Sequence, residues 1–441
     1  MSTAIRSLPL DYDLTLDCIH CGLCLNSCPT YRQSGRESEG PRGRIHLMRA
    51  LSEGRLEADQ DCVEALDSCL VCRNCETVCP AGVQFGALME SARDHLPAPG
   101  LLARGLRWFG FRLVLPHRRV LGFLAGAVRL TQLLRLPQAI APLLGQRGIA
   151  LAHLPVFPEA NKRRNLPPIC PSTSERTESV GMLEGCVQRQ LYGDVNRATV
   201  AVLNACGADV HTPQDHACCG ALHAHNGDLD EARRLAQKTI QAFEDMGGEP
   251  DMRIVLNSAG CGAHMAEYPR LFAENPLWLP RAEAFAQRVI DFSAFVAQAE
   301  RAEQLKKQLA PLAPRKVAWD DPCHLCHGQG ITAEPRALLD LIPGIERVEM
   351  PGAGSCCGSA GIHALLHPAE SNQLLDAKLE EFTSSDADVL ITANPGCQMQ
   401  WHGGFSRTGK ATRPQHLAEI LAASLAQEPH VVSKAKPPKK G

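Results

Sequence analysis

Eight cysteines fall in two runs of identical spacing: Cys18, Cys21, Cys24 and Cys28 in "DCIHCGLCLNSCPTY", and Cys69, Cys72, Cys75 and Cys79 in "CLVCRNCETVCP". A proline follows the last cysteine of each run. A 4Fe-4S cube needs one soft thiolate at each iron corner, and CxxCxxC spacing lets one loop wrap three corners. In two-cluster ferredoxins the fourth cysteine of each run serves the other cluster, and the proline turns the chain away. On that rule Cys18, Cys21, Cys24 and Cys79 hold one [4Fe-4S] cluster, and Cys69, Cys72, Cys75 and Cys28 hold the second. Structural zinc is the alternative, but it favours paired CxxC motifs and four ligands rather than eight interleaved ones.

The elements that must position these runs read as helices. Apolar residues in "GPRGRIHLMRALSEGRL" and "DCVEALDSCL", between Cys28 and Cys69, recur at three and four. A helical ferredoxin module over residues 1–92 is therefore expected rather than a short β-rich one. Arg42 and Arg44 could offset cluster charge, although a solvated helix start is the commoner reason for such arginines. Cys62 lies outside both runs and reads as a small buried residue.

Beyond residue 178 the chain repeats a longer pattern. "SVGMLEGCVQ", "DVNRATVAVLNACG", "ADVHTPQ", "ACCGALHAH" and "RIVLNSAGCGAH" are answered by "KVAWDDPCHL", "EPRALLDLIPG", "IERVEMPG", "SCCGSAGIH" and "VLITANPGCQMQ". Cys186, Cys218, Cys219 and Cys261 in the first copy thus match Cys323, Cys356, Cys357 and Cys397 in the second. Each set follows apolar, strand-like runs separated by helix signals, such as Asp194 at a start and Gly207 past an end. This alternation predicts two α/β domains, 178–300 and 313–427, with cysteines at strand ends where loops converge. Convergent thiolates suit a further cluster or redox thiol chemistry, whereas buried free cysteines are the plain structural alternative. His216, His223, His225, His264, His324, His327 and His363 crowd the same loops. Cys326 offers an extra thiolate; Cys206 reads as core, and Cys170 carries no partner motif.

The rest of the chain bounds these readings. With 441 residues, 44% hydrophobic and 21% charged, and a net charge of −3, the composition is that of a globular protein of several domains with no nucleic-acid partner. The N-terminal residues lack the pattern of a secretory signal. A reducing cytoplasm is therefore expected, in which twenty cysteines are not a disulfide framework. No apolar run reaches the length of a membrane span. Residues 93–147 hold nine arginines and one acid, Asp94, interleaved with Trp and Phe. This basic helical connector, 93–177 with its polar linker, suits either a membrane interface or a partner subunit. Residues 428–441 read as a basic flexible tail.

In order along nearly the whole chain, the CxxCxxCxxxCPTY run, "GPRGRI", "CRNCET", "GCVQ", "CCGA", "AGCGAH", "CCGSAG" and "ANPGCQ" make it similar to the iron–sulfur subunits of bacterial glycolate oxidase. The wider family joins a ferredoxin module to two cysteine-rich CCG domains. The resemblance implies an α+β multidomain fold and an electron-transfer role. FAD-binding partner subunits would oxidise glycolate to glyoxylate, and this chain would pass electrons to a membrane quinone or other acceptor. It also implies a location at the cytoplasmic face of the inner membrane. Heterodisulfide reductase copies of the motif end in CxxC. Here the endings are Cys261 to His264 and Cys397 to Gln400, so each copy lacks one thiolate and heterodisulfide chemistry is disfavoured.

No GxGxxG follows a strand, so neither flavin nor nicotinamide has an evident home in this chain. Clusters without a hydride acceptor require a flavoprotein partner. No catalytic residue is assigned, since substrate chemistry is expected in the partner subunits. The alternatives are the equivalent subunit for D-lactate or glycerol-3-phosphate, and a structural metal-binding scaffold.

Overall fold

A computed structural model describes residues 12–96, 101–216, 218–247, 249 and 251–426. The basic tail expected at 428–441 lies outside the described residues. Residues 12–96 form helices and cysteine-bearing loops, with no strand among those described. Helices Pro41–Ser52 and Gln60–Asp67 occupy the two stretches whose periodicity predicted them. The second starts where the Asp59 side chain accepts from the Cys62 backbone N–H, a conventional N-cap. Their apolar faces meet helix Phe85–His95 in a core of Ile45, Met48, Leu51, Leu66, Leu88 and Met89, which also packs against both cysteine runs. Cys62 is buried there, as expected of a small core residue.

The repeat in the sequence becomes a repeat in space. One sheet contains β1 (Ile169–Cys170), β2 (Glu178–Met182), β3 (Ala208–His211), β4 (Arg253–Leu256) and β5 (Val289–Asp291), in the order β1-β3-β2-β4-β5. The other contains β6 (Arg315–Trp319), β7 (Ile345–Val348), β8 (Val389–Thr392) and β9 (Gln415–His416), in the order β7-β6-β8-β9. Leaving out β1, the two orders are the same and every pairing is parallel. β1 is the addition. The polar stretch read as a linker folds back as an antiparallel edge strand, Ile169 opposite His211, and buries Cys170.

One apolar core runs through both halves, joining Val180, Val255 and Phe292 of the first to Trp319, Ile391 and Leu417 of the second. The halves also share backbone bonds, with Ala259 N–H donating to Ala393 O at 3.2 Å. In each sheet the chain leaves the central strand (β2 or β6) on one side and returns on the other. That is the switch point at which α/β sheets gather functional groups.

The basic connector forms helices Leu101–Trp108, Arg118–Leu133 and Leu136–Ala152, with a π-helical segment at Phe109–Val114. Its arginines largely bond to this chain. Arg93 donates to His225 O, Arg107 to Asn226 O, Arg112 to Asp228 and Arg129 to Phe157 O. Apolar side chains are exposed there as well as arginines: Phe123, Leu130, Leu133, Leu134 and Leu143 face outward, alongside Arg104, Arg119 and Arg135. Among the described residues no single helix is long and apolar enough to cross a membrane; Arg118–Leu133 and Leu136–Leu143 together reach that length and composition, bent by 82°.

Candidate functional site

Two cavities lie in the helical N-terminal module. Cys18, Cys21, Cys24 and Cys79 line one, together with Ile19, Leu23, Ile45 and Val83. Cys28, Cys69, Cys72 and Cys75 line the other, between Arg44 and Phe85. Cys75 also borders the first cavity. Each cavity therefore gathers three cysteines of one run and the last cysteine of the other. Among the described residues no three His, Cys, Asp or Glu side chains converge closely enough to share one ion. The donors surround a space rather than a point, which fits a polynuclear iron–sulfur group better than a tetrahedral zinc ion.

The loops achieve this with the same backbone in both runs. The residues flanking the second cysteine have positive φ: His20 (56°) and Gly22 (82°) in the first run, Val71 (49°) and Arg73 (64°) in the second. For β-branched Val71 this is a true outlier, costing on the order of 1–3 kcal/mol. A donor holds each strained carbonyl. Arg42 Nη1 donates to His20 O at 3.0 Å, while His324, from the second sheet domain, places Nε2 2.9 Å from Val71 O. At Gly22 the positive φ itself favours glycine, since a Cβ there would meet only the movable end of Arg42 at 2.8 Å.

Burial pushes the thiols of Cys24, Cys69 and Cys75 up, so binding a thiolate here requires compensating positive charge. Arg44 supplies some. The solvated-helix reading fails for this residue: it is 1% exposed, donating to Ala65 O at 2.7 Å, Thr30 Oγ1 at 3.1 Å and Ser68 Oγ at 3.0 Å, with Cys28 Sγ 4.0 Å away. Arg42 keeps the exposed position and pairs with Glu37 at 2.7 Å.

The sheet domains each collect four thiols beyond the strand ends. In the first, Cys219 Sγ lies 3.1 Å from Cys261 Sγ, and Cys186 and Cys218 are close enough for each to shift the other's thiol. In the second, Cys356 neighbours Cys323 and Cys357, and Cys397 neighbours Cys357. One thiol in each set is held low by its neighbours' S–H groups: Cys186 by Cys218, and Cys357 by Cys356 and Cys397, with Lys378 adding to the effect on Cys357. Cys326 is buried beside Cys323, its Sγ 3.8 Å from Cys323 O. Cys206 is fully buried core.

The glycine after each cysteine pair has a backbone reason. Gly220 and Gly358 have φ of 91° and 85°, and a Cβ would meet Ala232 O at 3.3 Å or Ser371 O at 2.7 Å. Ala232 and Ser371 occupy the same position, fourth in helices Leu229–Asp245 and Pro368–Ser384. The CCG pattern thus records a turn that presses the cysteine pair against the next helix.

The histidines serve the joins between domains. His225 Nδ1 lies 2.7 Å from Glu90 Oε1, and its ring is edge-on to His324 at 4.9 Å and to His264 at 6.2 Å. His327 Nδ1 reaches Thr77 Oγ1 at 2.9 Å, His223 Nε2 reaches Phe111 O at 2.7 Å, and His216 Nε2 reaches Cys218 O at 2.7 Å. His363 stacks on His367.

Sequence reasoning missed the contact between modules. Cys72 of the second run packs against Cys356 of the second sheet domain, together with Leu70. It also missed the buried pair Lys378–Asp320, 2.7 Å apart, which stands behind the same cysteines. The only hint was the uncommon "WDDPC", an acid pair directly after a buried strand.

Residues 15–83 match the family described as 4Fe-4S dicluster domain, and residues 180–266 and 317–401 each match the family described as cysteine-rich domain. The chain is 36% identical to the probable glycolate oxidase iron-sulfur subunit of Bacillus subtilis, over 93% of this chain and 94% of that protein. It is 33% identical to the glycolate oxidase iron-sulfur subunit of Escherichia coli over the same shares. Lactate utilization protein A of an Exiguobacterium species is 30% identical, covering 56% of this chain and 99% of its own length. The chain therefore belongs to the family of glycolate oxidase iron–sulfur subunits, in which a 4Fe-4S dicluster domain precedes two cysteine-rich domains.

Proposed function

We propose that this chain is the electron-transfer subunit of a flavin-dependent glycolate dehydrogenase. In this reading FAD-binding partner subunits oxidise glycolate, and the chain carries the electrons to a membrane quinone acceptor. One observation carries the reading beyond family membership: a thiol of the second ferredoxin cavity, Cys72, touches a thiol of the second sheet domain, Cys356. Redox groups exchange electrons fastest where their ligands are in contact.

Cys18, Cys21, Cys24 and Cys79 would hold one cluster, and Cys69, Cys72, Cys75 and Cys28 the other. Bound there, 4Fe-4S clusters supply one-electron acceptance and donation. The protein's part is to fix and shield them. Phe85 and the surrounding core keep Cys28, Cys69, Cys72 and Cys75 buried, Arg44 offsets charge beside Cys28, and the set around Cys21 lies nearer the surface. The strained loops at His20 and Val71 curl the backbone around each cavity. The exposed apolar side of Arg118–Leu133 would give peripheral contact with the membrane that contains the quinone, through buried apolar area rather than a span.

In the sheet domains the 3.1 Å approach of Cys219 and Cys261 favours a second reading, in which one or both thiol sets act as redox thiols rather than cluster ligands. Iron content separates the two, because two clusters alone give about eight irons per chain.

The function is tested by isolating the native complex anaerobically and adding glycolate, D-lactate or glycerol-3-phosphate separately. Bleaching of the cluster absorbance by glycolate alone supports the assignment. Bleaching by D-lactate or glycerol-3-phosphate instead moves the substrate while keeping the conduit. Clusters that are present but reduced by none of the three refute the assigned pathway.

A further inference from the structure

A cleft of about 1250 Å³ opens on the outer side of the first sheet domain, larger than most small-molecule sites (about 300–1,000 Å³). It lies between the start of helix Arg118–Leu133 and helix Leu229–Asp245. Its lining is strongly cationic: Arg118, Arg119, Arg163, Arg189, Arg234 and Lys238, against the acids Asp215 and Asp245. The cleft borders the first thiol set. Arg189 stands three residues after Cys186 on one helix, and the lining residue His216 reaches Cys218 O.

Some of this charge is already engaged. Arg234 pairs with Glu231, and Arg163 donates to Gly122 O at 2.8 Å and Pro158 O at 3.1 Å. Arg119 and Lys238 have no ion-pair partner among the described residues.

Arg189 and Arg118 are the unusual pair. Arg189 is 4% exposed; its Nη1 donates to Asn165 Oδ1 at 2.6 Å, but its Nε is buried without a hydrogen-bond partner. Arg118 Nη1 is likewise buried and unpartnered, with Nη2 3.4 Å from Glu184 Oε1. Burial, and then the charge of Arg118, push the Arg189 guanidinium below its ordinary value. The nearest acid compensates poorly, since burial pushes the Glu184 carboxyl up. The buried Arg189 and half-buried Arg118 face the weakened Glu184 carboxylate and, on the Arg118 side, Asp215; each guanidinium still has an unpartnered N–H, which the fork geometry of arginine fills best with a carboxylate or phosphate group.

We infer that this cleft is a binding site for a small polyanion bearing carboxylate or phosphate groups, held between Arg118 and Arg189 at the edge of the first thiol set. Arg119 and Lys238 draw the anion in from the rim, and the guanidiniums of Arg118 and Arg189 orient it. A bound anion lies next to the helix that starts at Cys186, so its occupancy is sensed at the thiols. The site needs no cluster in order to bind.

The test is calorimetric titration of the full-length chain at low salt with inorganic pyrophosphate and with citrate. At least one is expected to bind. Arg189→Gln is expected to weaken binding about tenfold or more, the scale of one lost charge-assisted hydrogen bond. Because Arg189 is buried, the rim double variant Arg119→Gln/Lys238→Gln provides a second reading on a soundly folded protein, with a severalfold loss expected. Lys316→Gln, on the remote face of the other sheet, is the charge control. Absence of binding by both anions overturns the inference, as does equal weakening by Lys316→Gln, or binding untouched by the cleft variants. Vesicles of phosphatidylglycerol distinguish the source of the phosphate. Sedimentation with them that pyrophosphate competes away, and that the rim variant loses, supports the site with a lipid headgroup as its anion. Vesicle binding without any pyrophosphate or citrate binding overturns the small-anion site.

Discussion

The two sheet domains share strand order, a 17-residue helix beyond the cysteine pair and thiol positions, yet they are joined to the N-terminal module in different ways. The second grips the cluster loop itself. Cys356 meets Cys72, His324 reaches Val71 O, and His327 reaches Thr77, all within or beside the Cys69–Cys79 run. The first grips mainly the flank of the module through helix Phe85–His95, where Glu90 accepts from His225 and Arg270 and Asp94 accepts from the Leu229 N–H at 3.0 Å; it reaches the Cys69–Cys79 run through the Glu267–Arg73 ion pair at 2.5 Å. Their interiors differ in the same sense. Directly after the central strand the first domain has Leu183 and the second Asp320; at the eleventh position of the following helix the first has Thr239 and the second Lys378. Both side chains of each pair are buried. A duplicated scaffold has thus given one half a buried ion pair behind its thiols and a thiol contact with the ferredoxin loops, where the other half has Leu183 and Thr239.

The largest expected effect comes from cutting that contact. Cys72→Ser replaces a soft thiolate with a hard oxygen and is expected to remove one cluster's absorbance and abolish electron flow from substrate to quinone. Cys261→Ser, in the first domain, is expected to leave the ferredoxin absorbance intact. Equal loss of that absorbance in both variants would erase the proposed asymmetry. A smaller effect is expected from Lys378→Met. Its ammonium donates to Gly352 O, Ala353 O and Ser355 O and pairs with Asp320, so removing it strands a buried carboxylate. Breaking such a pair costs about 3–5 kcal/mol, while replacing both partners with apolar groups is often neutral. The urea midpoint should therefore fall sharply in Lys378→Met and recover in Lys378→Met/Asp320→Leu, which imitates the Leu183 side of the comparison. A midpoint unchanged by the single variant would mean the pair is solvated.

Most of the architecture was legible because it is carried by local signals. Cysteine spacing, strand-like apolar runs and the two CCG turns are short-range patterns, and each corresponds to a backbone requirement such as the positive φ of Gly220 and Gly358. The contacts between modules were not legible. Nothing near Cys72 announces Cys356, since the pairing depends on how three bodies pack rather than on the period of either segment. Arg44 was misread for a related reason: a first-turn arginine is usually solvated, and only tertiary packing against Ala65, Thr30 and Ser68 buries it. The edge strand at Ile169 was hidden in a proline-rich stretch because its partner, His211, lies some forty residues on.

The last difference between the halves concerns how each ends its sheet, and it predicts opposite responses to acid. The final strand residue of each domain caps the next helix: Asp291 accepts from Ser293 N–H at 2.7 Å, and His416 Nδ1 accepts from Ala418 N–H at 3.0 Å. His416 also places Nε2 2.8 Å from Asn257 O of the first domain, so its neutral form bridges the halves. Burial raises Asp291 to about 6 and lowers His416 to about 4. A raised carboxyl favours folding most below its unfolded value and loses that contribution as pH rises through about 6. A lowered imidazole contributes fully above its unfolded value and loses that contribution as pH falls through about 4. Between neutrality and about pH 4 the two caps therefore oppose each other, each by a few kcal/mol, since a tenfold change in proton affinity is worth about 1.4 kcal/mol. Melting temperatures taken across that range should fall more steeply with acid in Asp291→Asn than in the parent, and less steeply in His416→Asn, since asparagine caps without titrating. Parallel profiles for all three proteins would show that each cap titrates in the folded protein as it does in the unfolded chain, and the two domains would then end alike.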